Sequence, residues 1–323
     1  MKKLICVMMS VLMIAALFAG CGAPAADDGI YKVAIVQQLD HASLNEIRTA
    51  IEAQLVVIAA EKNIQIEYKD FNGQNDTSIL GQIGSQVVSD GYDLIIPIAT
   101  LAAQYSVTAA EGKNIPIVYA AVSDPVEAGL TELPTVTGVS DALNTPFILD
   151  MMLAVNPDVK TVGLLYSNSE PNSVTPIKEA KAYLDSKGIA YIEKTGNTAD
   201  EVITAASALV GRCDAVFTPT DNAIMNVAAS VAEILTDAGI PHYAGADSFV
   251  QAGSFATCGV NYTELGTYTA NMAMDILLGG KVGDFHVMDG GIITVNTTTA
   301  DALGIDYTAF NAMANTVTAI TID

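Results

Sequence analysis

The chain has 323 residues, 51% of them hydrophobic, with 36 acidic against 14 basic residues and a formal net charge of −22. So large a negative excess argues against nucleic acid or an anionic membrane surface as partner, because either would repel it. The length suits one large or two medium domains.

Met1-Lys2-Lys3, an apolar run from Leu4 to Phe18 and then Ala19-Gly20-Cys21 read as a secretory signal. The cysteine makes the reading more specific: Phe18-Ala19-Gly20-Cys21 resembles a lipobox, with Phe18 where Leu is usual. Residues 1–20 are therefore expected to be a lipoprotein signal peptide and 21–29 a tether. Lipid on Cys21 would hold the protein at the outside of a cell membrane, in a periplasm or on the outer face of the plasma membrane. After Phe18 no apolar run approaches the roughly 20 residues of a transmembrane helix.

Beyond the tether, β-branched runs alternate with helical periodicity, the pattern of parallel-sheet βαβ units. Strands are expected at Lys32–Val36, Gln65–Lys69, Leu94–Ile98 and Ile117–Ala121. A helix is expected where Leu44, Ile47, Ile51, Leu55 and Ile58 share one face, started by a Ser43–Glu46 capping box. The pattern then recurs: Lys32–Val36 matches Thr161–Leu165, Tyr92–Thr100 matches Cys213–Asp221, and Ile115-Pro116 leading to Ser123-Asp124 matches Ile240-Pro241 leading to Asp247-Ser248. The expected architecture is α/β, two doubly wound parallel-sheet lobes joined by a three-crossing hinge at Asp141–Pro146, Gly259–Tyr262 and Gly279–Gly291. One lobe takes residues 30–141 plus 262–282, the other 142–261 plus 283–323.

In such sheets ligands bind beyond the carboxyl ends of the strands. Those ends supply His41, Ser43, Thr100, Ser123 and Asp124 from one lobe, and Asn172, Ser173, Thr220, Asp221, Asn222 and Asp247 from the other. Helix N-termini there suit a ligand carboxylate, and Asp221 or Asp247 suits an ammonium group, so a zwitterion satisfies both. Many of these residue types are equally good helix caps. Tyr119, Tyr166, Tyr243 and Phe71 sit on or after strands as stacking candidates or core. His242, at a strand start, reads as structural. Cys213 and Cys258 lie in strand-like sequence, where a disulfide and free thiols are both open. No nucleophile elbow, phosphate loop, dinucleotide fingerprint or metal spacing is found, so no cofactor is implied.

Lys32–Gln37, Ile98-Ala99-Thr100, Ala121–Pro125, Gly138–Asp141, Asn168–Ser173 and Pro219–Asn222 together resemble the substrate-binding proteins of ABC transporters, in the group of tryptophan/tyrosine-type binding lipoproteins. The resemblance implies a type I periplasmic-binding-protein fold that closes on an aromatic or other apolar amino acid and delivers it to a permease driven by an ATPase. A monomer suffices for that task. Two alternatives share the scaffold: an extracellular sensor feeding a membrane receptor, and an extracellular hydrolase.

Overall fold

The computed structural model describes residues 29–322. The expected signal peptide, the expected lipidation at Cys21 and all of the expected tether but Gly29 lie outside them.

The β-branched runs of the first half form β1 (Ile30–Gln37), β2 (Gln65–Asn72), β3 (Leu94–Ile98), β4 (Ile117–Ala120) and β5 (Val136–Ser140). They pair in parallel in the order β5-β4-β3-β1-β2. Between them run α1 (Ala42–Lys62), α2 (Thr77–Ser89) and α3 (Thr100–Ala109). The expected apolar face of α1 is buried from Leu44 to Ile58, worth roughly 1.5–3 kcal/mol per side chain against leaving it in water. The capping box does not form. The N-cap is His41, without a side-chain cap, and Ser43 sits inside the first turn. Glu46 turns instead to the backbone N–H and hydroxyl of Thr263, at 2.9 and 2.6 Å.

The second half repeats the plan. After α4 (Thr145–Val155) come β6 (Thr161–Tyr166), a 3-10 turn at Pro171–Ser173, α5 (Val174–Lys187), β7 (Ala190–Thr195), α6 (Ala199–Ser207) and β8 (Ala215–Thr218). Then follow α7 (Asn222–Met225), α8 (Ala228–Asp237), β9 (His242–Ala244), α9 (Asp247–Gln251) and β10 (Ala256–Gly259). The order β10-β9-β8-β6-β7 mirrors β5-β4-β3-β1-β2, so each sequence match recorded above falls on equivalent strands.

The chain then returns. α10 (Tyr262–Leu277) packs on α1 so closely that a Cβ on Gly266 would stand 2.5 Å from the carbonyl oxygen of Ile47. β11 (His286–Val287) adds to the free edge of β5, and β12 (Ile292–Asn296), α11 (Thr297–Leu303) and β13 (Thr316–Ile320) complete the second sheet. The chain therefore passes between sheets at 141–144, 260–261 and 288–291. The expected lobe boundary after 282 falls too early, because β5 has an unpaired edge that residues 286–287 cover.

One apolar cluster runs through the region between the sheets, joining Val33, Ile47 and Leu55 of the first lobe to Val202, Val216 and Leu235 of the second. Tyr119 and Tyr243 are core residues, 0% and 1% exposed. Cys213 and Cys258 are both free thiols. His242 is structural as expected, bonded at 2.8 Å to Thr218 and to Ser254, and burial pushes its pKa down to about 3. Among the described residues no helix is long and apolar enough to cross a membrane.

Candidate ligand-binding cleft

The carboxyl ends of β1, β3 and β4 face those of β6, β8 and β9, and the loops leaving them enclose a narrow cavity of about 30 Å³. That is room for about one or two waters, too little for a larger ligand with the lobes as they stand here. Of the residues expected at the site, His41, Ser43, Thr100, Ser123, Asn172, Thr220, Asp221 and Asn222 line the cavity.

The other three stand off it and brace the surroundings. Asp124 accepts from the backbone N–H groups of Val126 and Glu127 and from the hydroxyl of Thr175 in the opposite lobe, at 2.6 Å. Ser173 donates to Asp221 at 2.7 Å, and Asp247 accepts from Ser43 at 3.2 Å. The cleft is thus closed by hydrogen bonds between lobes: Asp124 with Thr175, Ser43 with Asp247, Ser123 with Thr220 at 3.1 Å, His41 with Asn222 at 3.2 Å and Gln38 with Glu170 at 2.9 Å.

Asp221 has little left to offer a ligand. One oxygen accepts from the N–H of Ile224, capping α7, and the other from the N–H of Ser167 at 2.6 Å and from Ser173. Burial raises its pKa. A second carboxylate missed in the sequence, Asp141, also lines the cavity. It accepts from Ser123 at 2.9 Å, from the Tyr262 hydroxyl at 3.4 Å and from its own backbone N–H, which leaves lone pairs unused. Its pKa is raised by burial as well. Among the described residues no lysine or arginine lines this cavity, so its fixed charge favours a cationic group.

Among the described residues, four buried side-chain atoms at the cavity wall have no partner: Nδ1 of His41, Oγ1 of Thr100, Oδ1 of Asn172 and Oγ of Ser248. An unpaired buried polar atom costs about 1–3 kcal/mol, and these four, around one space, are available to hydrogen-bond a polar ligand. Thr100 also opens α3, whose dipole places partial positive charge at the cavity. The apolar wall comes from Leu44, Met225, Phe249 and Tyr262. None of the four aromatic candidates picked from the sequence is among its lining residues.

Two alanines on this wall are strained. Ala99, after β3, has φ 78° and Ala121, after β4, φ 53°, a region unfavourable for any residue with a Cβ. Gly245, after β9, is required: a Cβ there would stand 2.5 Å from the backbone nitrogen of Thr220.

A family model for ABC transporter substrate binding proteins matches residues 32–315. The tyrosine-binding protein of Clostridioides difficile strain R20291 is 35% identical over 280 residues, covering 84% of this chain and 80% of that one. Among solved structures, a Streptococcus pneumonia ABC domain in complex with L-Trp aligns at TM-score 0.83 with 29% identity, covering 89% of this chain and 99% of that chain. The ligand-free, open structure of a substrate binding protein with adhesive properties from Clostridium difficile has 32% identity, 91% and 100% coverage, but a TM-score of only 0.68. The structure thus superimposes better on the complex than on the open one. The chain belongs to the ABC transporter substrate-binding protein family.

Proposed function

We propose that the protein captures an aromatic amino acid between its lobes, outside the cytoplasm, and hands it to an ABC permease and its ATPase. The observation that carries this reading is the convergence of four unpartnered buried polar atoms on a cavity whose fixed charges are carboxylates and whose remaining wall is apolar. Asp141 faces the ligand ammonium, Thr100 and the start of α3 take the carboxylate, and Phe249, Met225 and Leu44 receive the side chain. Asp221 acts through the geometry of the cleft, a change from the role its sequence position suggests. The tyrosine-binding relative and the L-Trp complex support the ligand class. The lipobox resemblance supports an anchor through lipid on Cys21, and the protein works as a monomer.

The test is isothermal titration of residues 22–323, refolded to strip carried ligand, against the twenty amino acids and a panel of sugars, nucleosides and peptides. Micromolar or tighter binding of tyrosine, tryptophan or phenylalanine is expected. Silence toward all amino acids with binding of another class would overturn the ligand assignment. The anchor is tested by labelling cells with radioactive palmitate, where Cys21→Ser must abolish incorporation.

A further inference from the structure

Four side chains form a single chain of hydrogen bonds that crosses the cleft twice. Gln38 accepts at Oε1 from the backbone N–H of Leu101, 3.2 Å, which turns its Nε2 toward Oε1 of Glu170, 2.9 Å. The other oxygen of Glu170 accepts from Nδ2 of Asn222 at 3.0 Å, and Oδ1 of Asn222 lies 3.2 Å from Nε2 of His41. An amide oxygen only accepts, so His41 carries its proton on Nε2. Its buried, unpartnered Nδ1 is left as an acceptor. Glu170 itself, 2% exposed, does not line the cavity.

We infer that Glu170 is a positioning residue: through Asn222 it sets which ring nitrogen of His41 bears the proton, and so whether the cleft offers its ligand an acceptor or a donor at Nδ1. With a carboxylate at 170 both oxygens accept, and the arrangement described follows. With a neutral acid or an amide at 170, the oxygen already receiving Gln38 stays an acceptor and the atom facing Asn222 becomes a donor. Asn222 then turns its oxygen to residue 170 and its Nδ2 to His41. Two donors cannot face each other, so the imidazole releases its proton from Nε2 and takes one up at Nδ1, remaining neutral throughout.

Burial, with repulsion from Asp221, lifts the pKa of Glu170 to about 8, which places this change near neutral pH. The charged groups around the chain are Asp221 beside Glu170 and Asp40 near His41. Burial outweighs Asp40 and holds the His41 pKa at about 4, so the ring is neutral on both sides of the change. The consequence for the ligand rests on the amino-acid reading: the acceptor form suits an ammonium or a phenol, the donor form a carboxylate.

The experiment is ¹⁵N NMR of the imidazole rings in a ligand-free chain held shut by a Ser123→Cys/Thr220→Cys disulfide, a pair whose hydroxyls lie 3.1 Å apart. His41 is assigned by loss of its signals in His41→Gln. At pH 9.5 the parent is expected to show Nε2–H, and Glu170→Gln to show Nδ1–H. Glu170→Gln/Asn222→Asp, which exchanges amide and carboxylate, is expected to return Nε2–H. Nδ1–H in the parent at pH 9.5, or the same tautomer in parent and Glu170→Gln, overturns the inference, and the first of these is readable even if the variant fails to fold. Because no ligand is present, a failure of amino-acid binding leaves this result standing on its own.

Discussion

Ser123 donates to Asp141 at 2.9 Å while its oxygen meets the hydroxyl of Thr220, from the other lobe, at 3.1 Å. One side chain thus ties a buried carboxylate of the cavity wall to closure of the cleft. Ser123→Ala removes both bonds and leaves Asp141 with the Tyr262 hydroxyl and its own backbone N–H. Tyrosine affinity is expected to fall about tenfold, the scale of one lost hydrogen bond to a charged group, with little change in Tm. Unchanged affinity by titration calorimetry would uncouple this contact from binding.

Asp141 and Asp221 are both buried carboxylates at the same wall, and their partners separate their roles. Asp141→Asn keeps the shape but removes the charge facing an ammonium, so binding should weaken by about a hundredfold or more, while Tm holds or rises because a buried charge is gone. Asp221→Ala strips a cap and two backbone N–H groups of their acceptor, so here the expected loss is in stability, about 1–3 kcal/mol. Paired melting and titration experiments distinguish the two, and equal effects on both readouts would contradict the assignment.

Much of this organisation is legible in the chain, for reasons that can be named. The internal matches at Leu94–Ile98 and Ala215–Thr218 survive because a fully buried parallel strand admits little but apolar, mostly branched residues. Eight of the eleven polar residues expected at the site line one cavity because strand ends converge there, a rule of topology that needs no coordinates. Glu170 is one more polar residue in the sequence Ser-Asn-Ser-Glu-Pro-Asn-Ser, and only tertiary packing buries it. Asp141 falls within the expected hinge, yet the crossing passes beside the cavity, which Asp141 therefore lines. Ser43 and Glu46 have the spacing of a capping box, but the helix starts one residue before Ser43, and each side chain finds a partner on another element.

Ala99 offers a test of strain at the cleft. With φ 78° and ψ 163° it holds a conformation that costs a Cβ-bearing residue about 1–3 kcal/mol, and glycine relieves it at some expense in unfolded-state entropy. Ala99→Gly should therefore raise stability by about 1 kcal/mol, a Tm increase of about 2 °C for a chain of this size. A lower Tm in differential scanning calorimetry would mean that the Cβ contributes more in packing than the backbone loses in strain.

Among the buried groups with shifted pKa values, His242 and Glu170 make stability depend on pH with opposite signs. His242 is held neutral, its pKa lowered by burial to about 3. The unfolded chain takes up that proton near the ordinary histidine value, so the contribution of His242 is present above about pH 6.5 and lost as pH falls toward 3. Glu170 behaves in the reverse way. Its pKa is raised by burial to about 8, the folded chain keeps a proton that the unfolded chain gives up near the ordinary glutamate value, and stability is lost as pH rises from about 4.5 to 8. Melting curves of the wild type and of Glu170→Gln between pH 6 and 8.5 should accordingly diverge, with the variant gaining relative to the wild type at each higher pH because its amide cannot ionise. His242→Asn should lower Tm at neutral pH by removing two buried hydrogen bonds, yet narrow its deficit as pH drops below 6. Parallel curves in the first comparison would show that Glu170 is ionised in the folded protein throughout, and parallel curves in the second that His242 is solvated well before global unfolding.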